Sequence, residues 1–257
     1  MLKYGCCIFR WVVIMKSTRK RYPVNIYDLN SEHKLKERTL LTYLQDIATV
    51  NADEIGFGYD WLCPNHYGWF LLKYRIELNQ YPKNMDYIEI ESYSRGAAKL
   101  FAFRDFILYS PDNEIIGKVA SCWSLIDMQT KSMLPIQKCT EFMHAFEKKE
   151  DDLAFNKIQV PQSFTNEKEF EVRYDELDVN GHANNTNYIT WALEALPIDF
   201  RTKYDIQNVD MQFKKEIKYG EKFISKVFVD EELKQSVHIL QKKETQEDMC
   251  NICINWQ

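Results

Sequence analysis

Apolar residues recur along this chain at two spacings, and the two spacings alternate twice. Across residues 35–55, Leu40, Leu41, Leu44, Ile47, Ala48 and Ile55 fall near one face at helical spacing. Gly56 and Gly58 follow and stop the helix. The period then shortens to two: Tyr87-Ile88-Glu89-Ile90-Glu91 alternates as a half-buried strand does. An opening strand is expected at 22–27, with further strands at 70–78, 87–95, 99–109 and 115–127. Ser110-Pro111-Asp112-Asn113 supplies turn chemistry between two of them. The same order then returns. A strand at 168–174 and a loop at 175–182 precede a helix at 184–196 that Pro197 closes. Strands follow at 210–217, 222–230, 236–243 and 248–256. Tyr27-Asp28 lays over Tyr174-Asp175, with the helix at a similar distance in both halves.

A long helix followed by antiparallel strands must bury its apolar face on its own sheet. Done twice, this predicts an α+β chain of tandem hot-dog repeats, each a long helix wrapped by an antiparallel β-sheet. The first repeat is expected at 16–136 and the second at 164–257. Residues 137–163, with the charge run 147–152 and no strong strand pattern, read as a linker. A single irregular α+β domain is the competing arrangement.

Bulk properties narrow the class. The chain has 257 residues, 45% hydrophobic and 28% charged, enough to bury roughly 70–75% of the unfolded surface without a disulfide or metal. A formal charge of −5 disfavours nucleic acid as a partner. Seven scattered cysteines, an odd number, point to reduced thiols and a cytoplasmic location. Cys250-x-x-Cys253 has the spacing of half a zinc site, but it lies in a strand-like run where those positions face opposite ways. Residues 1–15 are apolar but short and interrupted by Arg10, so they do not span a bilayer. They read as a dispensable leader ahead of a start at Met15, with export or membrane attachment as the alternative.

The chemistry concentrates in residues 174–194, YDELDVNGHANNTNYITWALE. Asp178, Asn180 and His182 alternate, so an extended segment projects them to one side. Gly181 permits a sharp turn. Asn184 or Asn185 caps the next helix, whose free N–H groups suit a developing oxyanion. Taken singly, each residue has an ordinary reading as a loop, turn, cap or strand-surface residue; their coincidence carries the signal. No His, Cys and carboxylate cluster has metal-ligand spacing, and no cofactor is implied.

This stretch resembles the acyl-acyl-carrier-protein thioesterase family, whose motif is Asp-x-Asn-x-His, then Asn-Asn and an aromatic helix. Asp178, Asn180, His182, Asn184, Asn185, Tyr188 and Trp191 match it. The family places a catalytic Glu on a later Lys-rich strand, and MQFKKEIKYGE supplies Glu216. KLFAFRDFILY and GKVASCWSLIDMQTKSM resemble the family's paired strands, so the likeness covers nearly everything after Met15. It implies hydrolysis of fatty acyl thioesters on an acyl carrier protein, by water attack assisted by Glu216 and His182. It further implies an acyl pocket in the first repeat, with Ala48 and Trp69 as candidate walls, and it admits a homodimer. Plant members often have Cys directly after that Glu; here Ile217 stands there, which removes a Cys nucleophile at that place. Lys214, Lys215 and Lys218 read either as a solvated face or as contacts for an acidic carrier. His33 sits in NSEHK without the rest of the motif, so the first repeat is expected to lack chemistry. An acyl-CoA thioesterase, a non-catalytic acyl-thioester-binding module and a hydratase on the same fold are the competing functions.

Overall fold

The computed structural model describes residues 17–83, 85–136 and 152–257. The proposed leader and most of the proposed linker lie outside these residues. Two helices dominate the interior. α1 (Glu37–Glu54) buries Leu40, Leu41, Leu44, Ile47, Ala48 and Asn51, the face that the apolar spacing marks. Beyond Ile55, Gly56 takes φ +83°, a left-handed turn that few other residues adopt without strain. α3 (Thr186–Leu193) has only eight residues, against the thirteen expected, and nearly all are buried. A helix enclosed on every side has no polar face, so periodicity marks its ends poorly. Short helices α2 (Tyr59–Asn65) and α4 (Ile198–Lys203) follow the two long ones and were not expected from the pattern.

The strands in chain order are β1 (Thr18–Pro23), β2 (Tyr67–Leu78), β3 (Tyr87–Ala98), β4 (Phe101–Tyr109), β5 (Ile115–Asp127), β6 (Ser132–Met133), β7 (Asn166–Glu171), β8 (Ile206–Phe213), β9 (Lys222–Asp230), β10 (Gln235–Lys242) and β11 (Asp248–Trp256). Among the described residues they form one antiparallel sheet, β1-β3-β4-β5-β2-β8-β11-β10-β9-β7, with β6 on β5. The left half of that order repeats in the right half, reversed about the β2–β8 seam. The two repeats therefore share a continuous sheet, not two separate ones, and α1 packs against α3 on its inner side. At the centre of the seam Arg75 of β2 stands opposite Asp210 of β8, and the two buried side chains form an ion pair.

Several expected boundaries move, and three of the shifts have a local cause. The opening strand runs from Thr18 to Pro23, with a short 3-10 turn at Ile26–Asp28 in place of its second half. Proline lacks the ladder N–H, and strands commonly end there. The strand expected at 210–217 ends at Phe213, because the N–H groups of Lys214 and Lys215 both turn to Met249 O. Glu216 is therefore on a connection and not on a strand. The helix expected at 184–196 stops short of Pro197, which disfavours helical geometry in the residue before it.

Candidate active site

The segment from Asp178 to His182 is a closed turn, not the extended run that its alternation suggested. Asp178 N–H donates to His182 O at 2.7 Å and Gly181 N–H to Asp178 O at 3.0 Å. Gly181 adopts φ +77°, which a side chain would strain. The Asp178 carboxylate closes the turn from inside: Oδ1 accepts the N–H groups of Asn180 at 2.8 Å and His182 at 3.1 Å. One oxygen of Asp178 is thus occupied by the loop itself. His182 then makes a β-bridge to Lys218, and Ala183 N–H donates to Ile217 O at 2.8 Å. These contacts bring the turn against the β8–β9 connection.

That juxtaposition sets His182 Nε2 3.0 Å from Glu216 Oε2. The imidazole is largely buried and the carboxylate is 43% exposed. His182 Nδ1 is sealed from solvent and has no partner among the described residues. The pair opens on a cavity of about 690 Å³, within the range of small-molecule sites. Asp178, Asn180, His182, Asn184, Asn185 and Glu216 line one end. Ala48 of α1 and Trp69 of β2 line the other, with Ile55, Phe57, Leu62 and Trp123. All eight residues singled out in the sequence thus border one cavity, which begins in the second repeat and extends into the first.

Local packing explains the placement. Asn184 Oδ1 accepts both the N–H and the hydroxyl of Thr186 at 2.9 Å, so Asn184 and not Asn185 caps α3. Asn187 Nδ2 donates to Glu176 O and Trp191 Nε1 to Glu176 Oε1, tying α3 to the turn before the loop. Burial pushes the Tyr188 phenol well above its ordinary value, leaving it a neutral wall beside the site. Burial also pushes the thiols of Cys122 and Cys253 up to about 11, and that of Cys250 higher. None of those three is a ready thiolate. Among the described residues no three His, Cys, Asp or Glu side chains gather as for a metal ion, and no helix is long and apolar enough to cross a membrane.

The first repeat contains the same loop with other side chains. Asn30 N–H donates to Lys34 O, and Asn30 Oδ1 accepts the N–H groups of Glu32 and Lys34. Lys34 bridges Lys83 as His182 bridges Lys218, and Leu35 N–H donates to Pro82 O as Ala183 N–H does to Ile217 O. Lys34 is therefore the counterpart of His182, and Tyr81, two residues before the bridging lysine, that of Glu216. His33 falls at the Gly181 position, with φ +59°. The overlay of Tyr27-Asp28 on Tyr174-Asp175 shifts by one: the 3-10 turns match Ile26 to Tyr174. The one-residue slip hid the true counterparts, and only the backbone hydrogen bonds reveal them.

A doubled helix-and-sheet unit with one intact polar loop opening on a cavity between its helices defines the double hot-dog class. Solved structures of similar fold include an acyl-ACP thioesterase from Bacteroides thetaiotaomicron (TM-score 0.82, 21% identity, 94% of this chain and 98% of that one). Another is the 12:0-ACP thioesterase from Umbellularia californica (TM-score 0.81, 18% identity, 94% and 97%). The chain belongs to the acyl-ACP thioesterase family: the family's N-terminal domain model matches residues 15–144 and its C-terminal domain model residues 160–257. Curated relatives include the chloroplastic oleoyl-acyl carrier protein thioesterase 1 of Arabidopsis thaliana, 24% identical over 220 residues, 78% of this chain and 60% of that protein. The chloroplastic palmitoyl-acyl carrier protein thioesterase of Cuphea hookeriana is 23% identical over 212 residues, 77% and 51%. The chain spans half to three-fifths of the length of these relatives.

Proposed function

We propose that this protein hydrolyses fatty acyl thioesters carried on an acyl carrier protein, releasing the fatty acid and the carrier thiol. The observation that carries the reading is the 3.0 Å His182–Glu216 pair on a cavity whose first-repeat lining is mostly apolar. Glu216, hydrogen-bonded to His182, takes a proton from water as the water oxygen attacks the thioester carbonyl carbon. General-base help of this kind is worth roughly 10² to 10⁴ in rate. The tetrahedral intermediate then collapses, the C–S bond breaks, and the proton held by the pair goes to the departing sulfur. Asn180 hydrogen-bonds the water or the carbonyl. The Asn185 N–H, which no acceptor takes among the described residues, is assigned to the oxyanion; one such donor is worth roughly 10² to 10³. Asp178 holds the loop. The first repeat serves as the acyl pocket, with α1 around Ala48 and the Trp69 region as its walls, and the segment around residues 137–163 joins the two repeats.

The test is turnover of palmitoyl- and octanoyl-carrier protein beside the matching CoA esters. Release of free fatty acid from the carrier-bound substrates at higher kcat/KM is expected. Preference for the CoA esters transfers the assignment to an acyl-CoA thioesterase, and no turnover of either class leaves a binding protein.

A further inference from the structure

The rim of this mouth carries a surface that hydrolysis of a free thioester does not need. Val179, at the tip of the Asp178–His182 turn, is fully exposed. Tyr174 and Tyr219 are 75% and 64% exposed, yet their rings meet edge to face with centroids 6.3 Å apart. The bridge between His182 and Lys218 brings the two segments side by side. Arg173 adjoins Tyr174 and Lys218 adjoins Tyr219; both are exposed, and neither side chain has an ion-pair partner among the described residues. Their neighbours differ: Lys214 is tied to Asp248 at 2.8 Å and Lys215 to Glu247. Of the three lysines that the sequence offered as carrier contacts, only Lys218 is uncommitted. The opposing charges are Asp175, exposed on the same turn, and Glu221, whose carboxylate accepts the Lys218 N–H at 3.0 Å and also feels the Lys218 charge. At the other loop the matching positions keep an exposed apolar residue, Ile26, and a lysine, Lys83, but Asn25, hydrogen-bonded to Asp28, and Ser31 stand where Arg173 and Val179 do.

We infer that Arg173, Tyr174, Val179, Lys218 and Tyr219 form the docking surface for the acidic carrier domain that delivers the acyl chain. The inference rests on the proposed hydrolysis and adds to it where the carrier sits. Clustered apolar side chains on an otherwise charged surface mark an interaction site. Free cations among them select an acidic partner: their donors are uncommitted, and guanidinium binds carboxylates two-pronged. A chain of net charge −5 repels an acidic domain over most of its surface, so a local basic patch is needed to steer and orient the encounter.

Direct binding of fluorescently labelled holo-carrier protein tests this without turnover. Arg173→Glu and Tyr219→Ser are each expected to raise Kd about tenfold at low salt, the charge effect fading as salt is added, whereas Asp175→Asn tightens binding. The companion readout is hydrolysis of an acyl-pantetheine thioester lacking the carrier domain, whose kcat/KM stays as in the unaltered protein. Unchanged carrier Kd in both weakening variants overturns the docking surface. Equal losses on carrier and pantetheine substrates overturn it too, by placing the patch in the cavity wall. Failure of the unaltered protein to release fatty acid from either the carrier-bound or the pantetheine substrate sinks the hydrolase reading instead, and leaves the binding result to stand on its own.

Discussion

In the second repeat His182 faces Glu216 across the mouth of an open cavity; at the same two positions of the first repeat stand Lys34 and Tyr81. The backbone around them is alike, down to an inward-turned Asn or Asp whose oxygen takes two loop N–H groups. The side chains do opposite things. Lys34 is locked by ion pairs to Glu32 and Asp205, and the Tyr81 hydroxyl donates to Leu35 O at 2.8 Å, with Glu37 Oε1 at 3.2 Å. On that side α4, with Phe200 between Tyr204 and Trp256, leaves a cavity of about 220 Å³ bordered by Lys34 and Tyr81, whereas α2 borders the cavity of about 690 Å³. The turn is therefore a scaffold common to both repeats, which differ in the two side chains it presents and in the size of the cavity beyond them.

Removing the pair should cost the most. His182→Ala and Glu216→Ala are each expected to lower kcat/KM on acyl-carrier substrate by about 10² to 10⁴, with the melting temperature within a few degrees of the parent. A loss under tenfold, about 1.4 kcal/mol, in either variant refutes the assigned role.

Next in size is the cavity wall. Ala48→Phe fills space at the first-repeat end and is expected to cut turnover of the longest accepted chains tens of fold while sparing the shortest. Each displaced methylene forfeits roughly 0.8 kcal/mol. A chain-length panel that falls uniformly makes the first repeat scaffold alone.

Asp178→Asn asks whether that residue is scaffold or chemistry. Asn30 holds the same turn with an amide oxygen, so the amide is expected to preserve the loop and to cost less than about tenfold in kcat. A drop of a hundredfold or more gives the carboxylate a chemical part.

The repeats also differ in their cores. His238 of β10 occupies the place of Phe106 in β4, is fully buried, and contacts Ser236 at 2.9 Å. Burial pushes its pKa down to about 3. The unfolded chain then binds a proton that the folded one refuses as pH falls from about 6.5 toward 3, so stability is lost across that window by up to about 1.4 kcal/mol per pH unit. Urea midpoints between pH 7 and 5 should fall in the parent and much less in His238→Phe; parallel curves would assign the slope elsewhere.

The smallest expected effect is a null one. Lys34→His with Tyr81→Glu, in a His182→Ala background, restores the residue types beside a cavity of only about 220 Å³, and fatty acid release should remain at background. Any clear recovery would show that the pair alone suffices.

How much of this was legible beforehand follows from what each signal encodes. α1 shows as a face because one side meets core and the other meets solvent. α3 was overdrawn because burial on all sides erases its period. The strands at 115–127, 222–230 and 248–256 match β5, β9 and β11 to the residue. The motif residues stand out by type and spacing, but a turn, not an extended segment, brings Asp178 and His182 together. The identity of Glu216 was legible and its element was not, because the departure from β8 depends on Met249 in a distant strand. Arg173, Tyr174 and Tyr219 gave no signal at all, since exposure is not written in a local pattern.

Arg75 and Asp210 face each other at the centre of the seam where β2 meets β8. Strands that pair across a twofold axis in two identical subunits set the central residue against its own copy: arginine would meet arginine, or aspartate aspartate. A buried like-charge pair there is strongly unfavourable. Opposite signs at the axis are open only to unlike partners, so this seam works as a mating code. Severed into separate chains, each repeat would reject its twin and choose the other.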